Sequence, residues 1–345
     1  LHLAAYFHSR GVRAGQIIGV MANNRWEVLL MHFAAAAIGC ALLNVNTRLS
    51  PSELAYIFAD SEPTSCLVED SFASSMNAAL AESPEQSGLF AAGLLMLPTS
   101  NANAAELSGT WCTFDAALES GAAQASFEVY RSDNSEAGYQ MYYTSGTTGR
   151  PKGVMLSRAN VCRHAHSAIV EFGFAANDCW AHFAPLYHLV DAYAVYALTW
   201  VGGSHTLLPT WDARAALQIL AEQRVSATHV AATMLQMLLT NPDRQTTRLD
   251  ALRIISCGGS ALPQPLVQQA FDAFGERFFT SYGMTECTGK ISVSRLTSAM
   301  ATSLPLEEKV KLVGTQGKPF HGMDVRILLQ SGESAAVDEI GEVQV

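Results

Sequence analysis

The residues with the clearest chemical potential lie between Tyr142 and Val161, where the chain reads YYTSGTTGRPKGVMLSRANV. Gly146, Gly149 and Gly153 let backbone N–H groups turn toward an anion, Thr144, Ser145, Thr147 and Thr148 add hydroxyl donors, and Lys152 adds a positive charge. That combination suits a polyphosphate. It is not a Walker A loop, because the lysine is separated from Gly149 by Arg150 and Pro151 and is followed by Gly153 rather than by a hydroxyl residue. Pro151 also interrupts the helix that such a loop would start. A solvated linker shares the composition, but it would not need this order of glycines, hydroxyls and lysine behind the strand-like run Tyr139 to Tyr143. The residues after the loop look helical.

Other candidates are weaker when taken alone. Glu286 in SYGMTE reads as a solvated carboxylate, Tyr282 as core, and Gly258 and Gly259 in ISCGGSALP as a turn. His188 in FAPLYHLV reads equally as a packed, hydrogen-bonded histidine or as a site residue. Cys162 and His166 could share a helix face, but two ligands do not make a metal site. Ser260 in GGSAL lacks the GxSxG setting of a hydrolase nucleophile.

Together these strings resemble the adenylate-forming enzymes, a family that includes acyl-CoA synthetases, 4-coumarate-CoA ligases, firefly luciferase and peptide-synthetase adenylation domains. Tyr143 to Gly153 is similar to the family signature YTSGTTGxPKG at every fixed position. The stretch from Gly11 to Ser61 resembles the family's opening α/β segment, with Gln16 where aspartate is usual, and GTQGKP resembles the approach to its small β-barrel. The resemblance covers nearly the whole chain and favours the acyl-CoA synthetase branch, since YGMTE replaces the YGPTE often seen in peptide-synthetase domains.

The resemblance implies attack of a carboxylate oxygen on the α-phosphate of ATP, giving an acyl-adenylate and pyrophosphate, and then a thioester with coenzyme A. Lys152 and the loop from Thr144 through Ser145, Gly146, Thr147, Thr148 and Gly149 would hold the phosphates. Gly258, Gly259, Ser260, Ala261, Tyr282, Gly283 and Met284 would take the nucleotide, with Thr285 against the α-phosphate. Glu286 and Thr144 would hold Mg2+, and His188 would line the passage to the acid. The acid itself would lie among Trp180 to Trp200 and His229 to Leu239, whose aromatic and aliphatic content suits an apolar tail. The resemblance also implies a later ribose-binding aspartate, a hinge and a mobile C-terminal domain with a catalytic lysine. This chain lacks them, so it is expected to be an incomplete catalyst. The alternatives are an adenylation domain that loads a carrier-protein thiol and a truncated nucleotide-binding protein without turnover.

The elements that must position these residues follow an alternating rhythm. Strand candidates at Gln16 to Met21, Ala41 to Val45 and Ser65 to Val68 alternate with helices, one capped by Asn23 or Asn24 and one opened by Ser50-Pro51-Ser52-Glu53. From Asn77 to Glu136 the rhythm loosens into what reads as short helices and surface loops. It resumes with strands at Trp180 to Ala184, Ser204 to Leu208, Ala227 to Ala231, Leu252 to Ser256 and Arg277 to Ser281, separated by helices such as Ala213 to Gln223 and Pro265 to Phe274. Beyond Thr297 short strands with no helices between them suggest a small β unit. The expected architecture is therefore α/β: two packed subdomains with largely parallel sheets, residues 1–170 and 171–297, and the start of a β-barrel subdomain at 298–345.

Composition bounds the partners. In 345 residues, 49% apolar and 15% charged, the chain can bury large cores, and its net charge of −10 argues against general nucleic-acid binding. Seven scattered cysteines suggest a reducing, intracellular and by default cytoplasmic setting. The apolar run Val28 to Leu43 contains His32 and is too short for a bilayer, so it reads as a buried helix running into a strand. The start without methionine and the end in a strand-like stretch read as a piece of a longer protein, so targeting signals are not legible.

Overall fold

The computed structural model describes residues 1–82, 89–99, 111–124, 127–145 and 149–345. They form two compact units, one of Leu1–Cys162 with Pro185–His188, the other of Arg163–Ala184 with Leu189–Val345. No described helix is long and apolar enough to cross a membrane.

The first unit contains, in chain order, α1 (His2–Ser9), β1 (Ile17–Met21), α2 (Trp26–Ile38), β2 (Ala41–Asn44), α3 (Pro51–Ser61), β3 (Ser65–Glu69), α4 (Ala73–Glu82), β4 (Leu94–Leu97), β5 (Trp111–Thr113), α5 (Phe114–Ala122), β6 (Gly138–Thr144) and β7 (Lys152–Ser157). Among the described residues its strands make one seven-stranded sheet in the order β5-β4-β3-β1-β2-β6-β7, parallel except for the β6–β7 hairpin. β3 and β4 are buried along their full length, which a sheet covered on both faces requires. One face packs on Leu54, Ile57 and Phe58 of α3 and Met76 of α4.

α3 starts where the sequence places a start. Ser50 and Glu53 form a reciprocal capping box and Pro51 occupies the first turn, where its missing N–H is not needed. α2 starts differently from the expectation, without an asparagine side-chain cap. Asn23 instead bonds the Glu69 carboxylate at 2.9 Å, and the Asn24 amide oxygen accepts the Leu186 N–H at 2.9 Å. Tertiary partners claim both side chains.

β4 and β5 are strands that the sequence does not announce. Four apolar residues, Leu94 to Leu97, are too few to show a period, and their parallel pairing with β3 is what makes them a strand. Residues 83–88, 100–110 and 125–126 of the loose region lie outside the described residues.

The boundary between the units falls within α6 (Arg158–Phe172). The second unit continues with β8 (Cys179–His182), α7 (Leu189–Val201), β9 (Ser204–Leu207), α8 (Ala213–Glu222), β10 (Ala227–Val230), α9 (Ala232–Thr240), β11 (Ile254–Gly258), α10 (Gln264–Phe274), β12 (Phe278–Met284), β13 (Gly289–Val293), α11 (Ser298–Ser303), α12 (Leu306–Val313), β14 (Lys318–Pro319), β15 (Arg326–Leu328) and β16 (Glu342–Gln344). Its described strands form a seven-stranded sheet in the order β14-β13-β12-β11-β10-β8-β9, with β15 and β16 paired separately. The two helices after Thr297 correct the expectation of strands alone. Thr297 caps α11 by accepting from the Met300 N–H, and Pro305, Glu307 and Glu308 make a favourable start for α12.

One face of this sheet is an aromatic core of Phe172, Phe174, Trp180, Phe279 and Phe320; the other packs on α8, α9 and α10. Trp180 is fully buried, and removing an aromatic of this size from water contributes about 4–6 kcal/mol as an upper bound. The amino ends of three parallel strands are tied by Asp178, Ser226 and Arg253, each one residue before β8, β10 or β11. Asp178 accepts from Arg253 at 2.6 and 2.8 Å, from the Ser226 hydroxyl at 2.7 Å and from the Ala175 N–H at 2.9 Å.

Candidate active site

The phosphate-loop candidates sit in the first unit at the carboxyl end of β6. The structure corrects the expectation of a helix directly after the loop: Lys152 begins a strand and pairs with Thr144 across an antiparallel hairpin. The helix starts only at Arg158, because Val154 to Leu156 find ladder partners on β6. The described residues after the loop thus enter a strand rather than the start of a helix.

α3 fixes both ends of this hairpin. Asp60 accepts the Tyr143 hydroxyl at 2.6 Å at the start of the loop, and Tyr56 donates its hydroxyl to the Pro151 carbonyl at 3.3 Å at the end. Tyr56 and Asp60 are one turn apart on the helix, so a single face carries both anchors. Thr144 is half-buried, while Ser145, Gly149 and Lys152 are exposed. Gly149 takes φ +90° with open space where a Cβ would stand. Gly146, Thr147 and Thr148 lie outside the described residues.

His188 belongs to the same unit and is exposed beside Tyr187, with ring centroids 4.8 Å apart. Partial desolvation and the Arg48 charge both hold its imidazole below the usual value, so it is neutral at physiological pH. It is no cation.

The second unit brings the other candidates together at one edge. β11 and β12 are parallel neighbours with Gly258 opposite Ser281, so the carboxyl ends of both strands deliver Gly258 to Ala261 and Tyr282 to Glu286 side by side. Gly259, Ser260, Ala261, Tyr282, Gly283, Met284 and Glu286 are exposed, and Thr285 is half-buried. Gly259 takes φ +85° with nothing near a would-be Cβ, leaving a turn that a flat group can approach.

A register shift between Tyr282 and Gly283 breaks the β12–β13 ladder. Such a bulge can re-aim side chains, and Tyr282 is 37% exposed. Gly283 has a structural reason beyond any ligand. A Cβ there would fall inside the envelope of the Gly289 carbonyl and 3.0 Å from Lys290 Cα. Gly283→Ala is therefore expected to lower stability by about 1–3 kcal/mol with no nucleotide present. An unchanged denaturation midpoint would leave that glycine with a ligand role alone.

Sequence reasoning missed the residues under this edge. Lys290 on β13 is 2% exposed and donates to Ser281 Oγ at 3.0 Å, with His229 Nδ1 at 3.5 Å and its ammonium over the Tyr193 ring at 5.2 Å. A lysine inside the run KISV, between glycine and isoleucine, was the available signal. Nearby, Asp191 accepts from Trp180 Nε1 at 2.7 Å and pairs with His182 at 3.3 Å.

Two mixed α/β sheets carry these polar motifs at strand carboxyl ends, the position at which open α/β sheets take ligands. All of residues 1–345 match the model of the family described as AMP-binding enzyme, and the chain belongs to that family. It is 28% identical over 344 residues to a feruloyl-CoA synthase of Amycolatopsis sp., covering 99% of this chain and 62% of that relative. The fold is similar to the N-terminal domain of FACL13 from Mycobacterium tuberculosis, with a TM-score of 0.78 at 19% identity, covering 97% of this chain and 76% of that one. It is also similar to the amide bond synthetase McbA from Marinactinospora thermotolerans, with a TM-score of 0.80 at 22% identity over 99% of this chain and 63% of that one. The chain thus spans 62% of the length of the curated relative it matches.

Proposed function

We propose that this chain carries the ATP- and acid-binding part of an acid-thiol ligase that converts a carboxylic acid to an acyl-adenylate and, in the complete protein, to an acyl-CoA. The observation that carries this reading is the shared edge of β11 and β12, where an open glycine turn and an exposed tyrosine stand beside Thr285 and Glu286.

Each group has a role by its chemistry. Lys152, Thr144, Ser145 and the turn through Gly149 neutralise and orient the β- and γ-phosphates of ATP, then the departing pyrophosphate. The Gly258–Ala261 turn and the Tyr282 ring hold the adenine, and Thr285 steadies the α-phosphate that the acid's oxygen attacks. Glu286 supplies a carboxylate and Thr144 a hydroxyl suited to magnesium, which would neutralise phosphate charge when bound. No three His, Cys, Asp or Glu residues cluster among the described residues, which fits a magnesium ion that completes its shell with phosphate and water. The acid is assigned to the region where strand order reverses between β8 and β10, flanked by α7 and α9. His188, which stays neutral, keeps its proposed role toward the acid.

The test is pyrophosphate release and thioester formation, measured separately with the full-length enzyme, ATP, magnesium, CoA and a panel of carboxylic acids. Pyrophosphate release that rises at least about tenfold over the acid-free rate with one acid is the expected result. Release indifferent to every acid would overturn the reading.

A further inference from the structure

The acid-binding region holds a buried cluster that the proposed roles leave unused. Lys290 stands on a strand otherwise made of Gly289, Ile291, Ser292 and Val293, and its ammonium has no carboxylate at ion-pair distance among the described residues. The neighbouring carboxylate, Asp191, accepts from Trp180 through Oδ1 and stands 3.3 Å from His182 Nδ1 through Oδ2. Ser281 accepts one of the three ammonium protons.

The groups around this lysine are short of acceptors. The Lys290 N–H donates to His164 Nε2 at 2.9 Å, so the proton of that neutral ring is on Nδ1, which has no partner among the described residues. His229 Nδ1 lies 2.9 Å from Ser256 Oγ and 3.5 Å from the ammonium, and its Nε2 has no partner among the described residues. The Tyr193 hydroxyl is a third orphan. His164, Tyr193 and His229 are all at least nine-tenths buried. Unpaired buried donors are costly, and a buried ammonium without a counter-ion more so. Asp191 is the neighbouring negative charge, but among the described residues no carboxylate oxygen reaches the ammonium itself.

The cluster is also close to the exposed edge. A Cβ on Gly258 would stand 2.8 Å from Ser281 Oγ and 3.4 Å from His229 Cε1, so these side chains lie directly beneath the glycine turn. Burial holds the lysine down to about 7 against the opposing pull of Asp191 and Cys257, and an incoming anion would restore its charge.

We infer that Lys290 is a specificity-determining residue that selects a carboxylic acid carrying a second carboxylate, received by the Lys290 ammonium with the orphan donors of its cluster. This rests on the proposed acid-activating function. The second carboxylate pairs with the lysine while the first remains free to react.

The test compares α,ω-dicarboxylic acids with their monomethyl esters, which differ only in the distal charge, by calorimetric binding to the chain and by pyrophosphate release from the full-length enzyme. At least one diacid is expected to bind about tenfold or more tightly than its ester, as a charge-assisted pair requires. Lys290→Met should bring the two within about twofold while melting no lower than the parent, because it removes an unpaired buried charge. Equal binding of diacid and ester by the parent chain overturns the inference whether or not the variant folds, as does a preference that survives Lys290→Met. Pyrophosphate release driven only by plain monoacids defeats this inference alone. Release indifferent to all acids, with a diacid preference in binding, defeats the activity and leaves the anion site standing.

Discussion

Replacing Lys152 by alanine is expected to cut acid-dependent pyrophosphate release by the full-length enzyme about 10²–10³-fold, the usual cost of removing one preorganised positive or donor group from charge developing in a transition state. Lys152 is exposed, and its backbone pairs with Thr144 whatever its side chain, so alanine leaves the hairpin and its α3 anchors in place. Among the described residues its ammonium has no ion pair, which leaves it available to a ligand in a chain of net charge −10. The thermal midpoint should therefore stay within about 2 °C of the parent, as for other surface changes. Full activity in Lys152→Ala would remove the lysine from the phosphate site, whereas lost activity with a lowered midpoint would assign it to the fold.

Asp178→Ala should cost about 2–4 kcal/mol of stability, less than a fully buried ion pair because the Arg253 side chain is 34% exposed. The carboxylate is 5% exposed and joins Arg253, Ser226 and Ala175 at the amino ends of β8, β10 and β11. Its removal leaves the guanidinium facing the Phe172 and Gly173 carbonyls without a counter-ion and unties three strands. Burial by itself would raise the Asp178 pKa, but the Arg253, Ser226 and Ala175 hydrogen bonds outweigh it and hold the carboxyl below its ordinary value. A depressed carboxyl stabilises the fold above the unfolded value, about 3.9, and loses that contribution as pH falls through the folded value. Urea midpoints of parent and variant should differ strongly at pH 7 and draw together as pH falls below the unfolded value; equal midpoints at pH 7 would refute the role.

The family and much of the fold are legible in local sequence. Tyr143 to Gly153 and Tyr282 to Glu286 carry the family resemblance in consecutive residues, and the strands at Ile17, Ala41, Ser65 and Ala227 show themselves as short β-rich runs between helical stretches. Ser50 and Glu53 cap their helix using only their own neighbourhood. A signal confined to a few adjacent residues needs no tertiary partner to be read.

The misread segments share the opposite property. Asn23 and Asn24 look like helix caps until Glu69 and the Leu186 N–H, both distant in sequence, compete for the same side chains. Leu94 to Leu97 becomes a strand because β3 lies beside it, and Val154 to Leu156 does so because β6 turns back on it. The Lys290 cluster draws His164, Tyr193, His229 and Ser281 from four separate elements, and no spacing in the chain announces that they meet. Which chemistry the chain is equipped for is thus written in its order of residues, since motif residues act through neighbours one to ten positions away. Which polar groups end up buried without partners is settled only on folding, because burial and pairing depend on contacts between strands far apart in the chain.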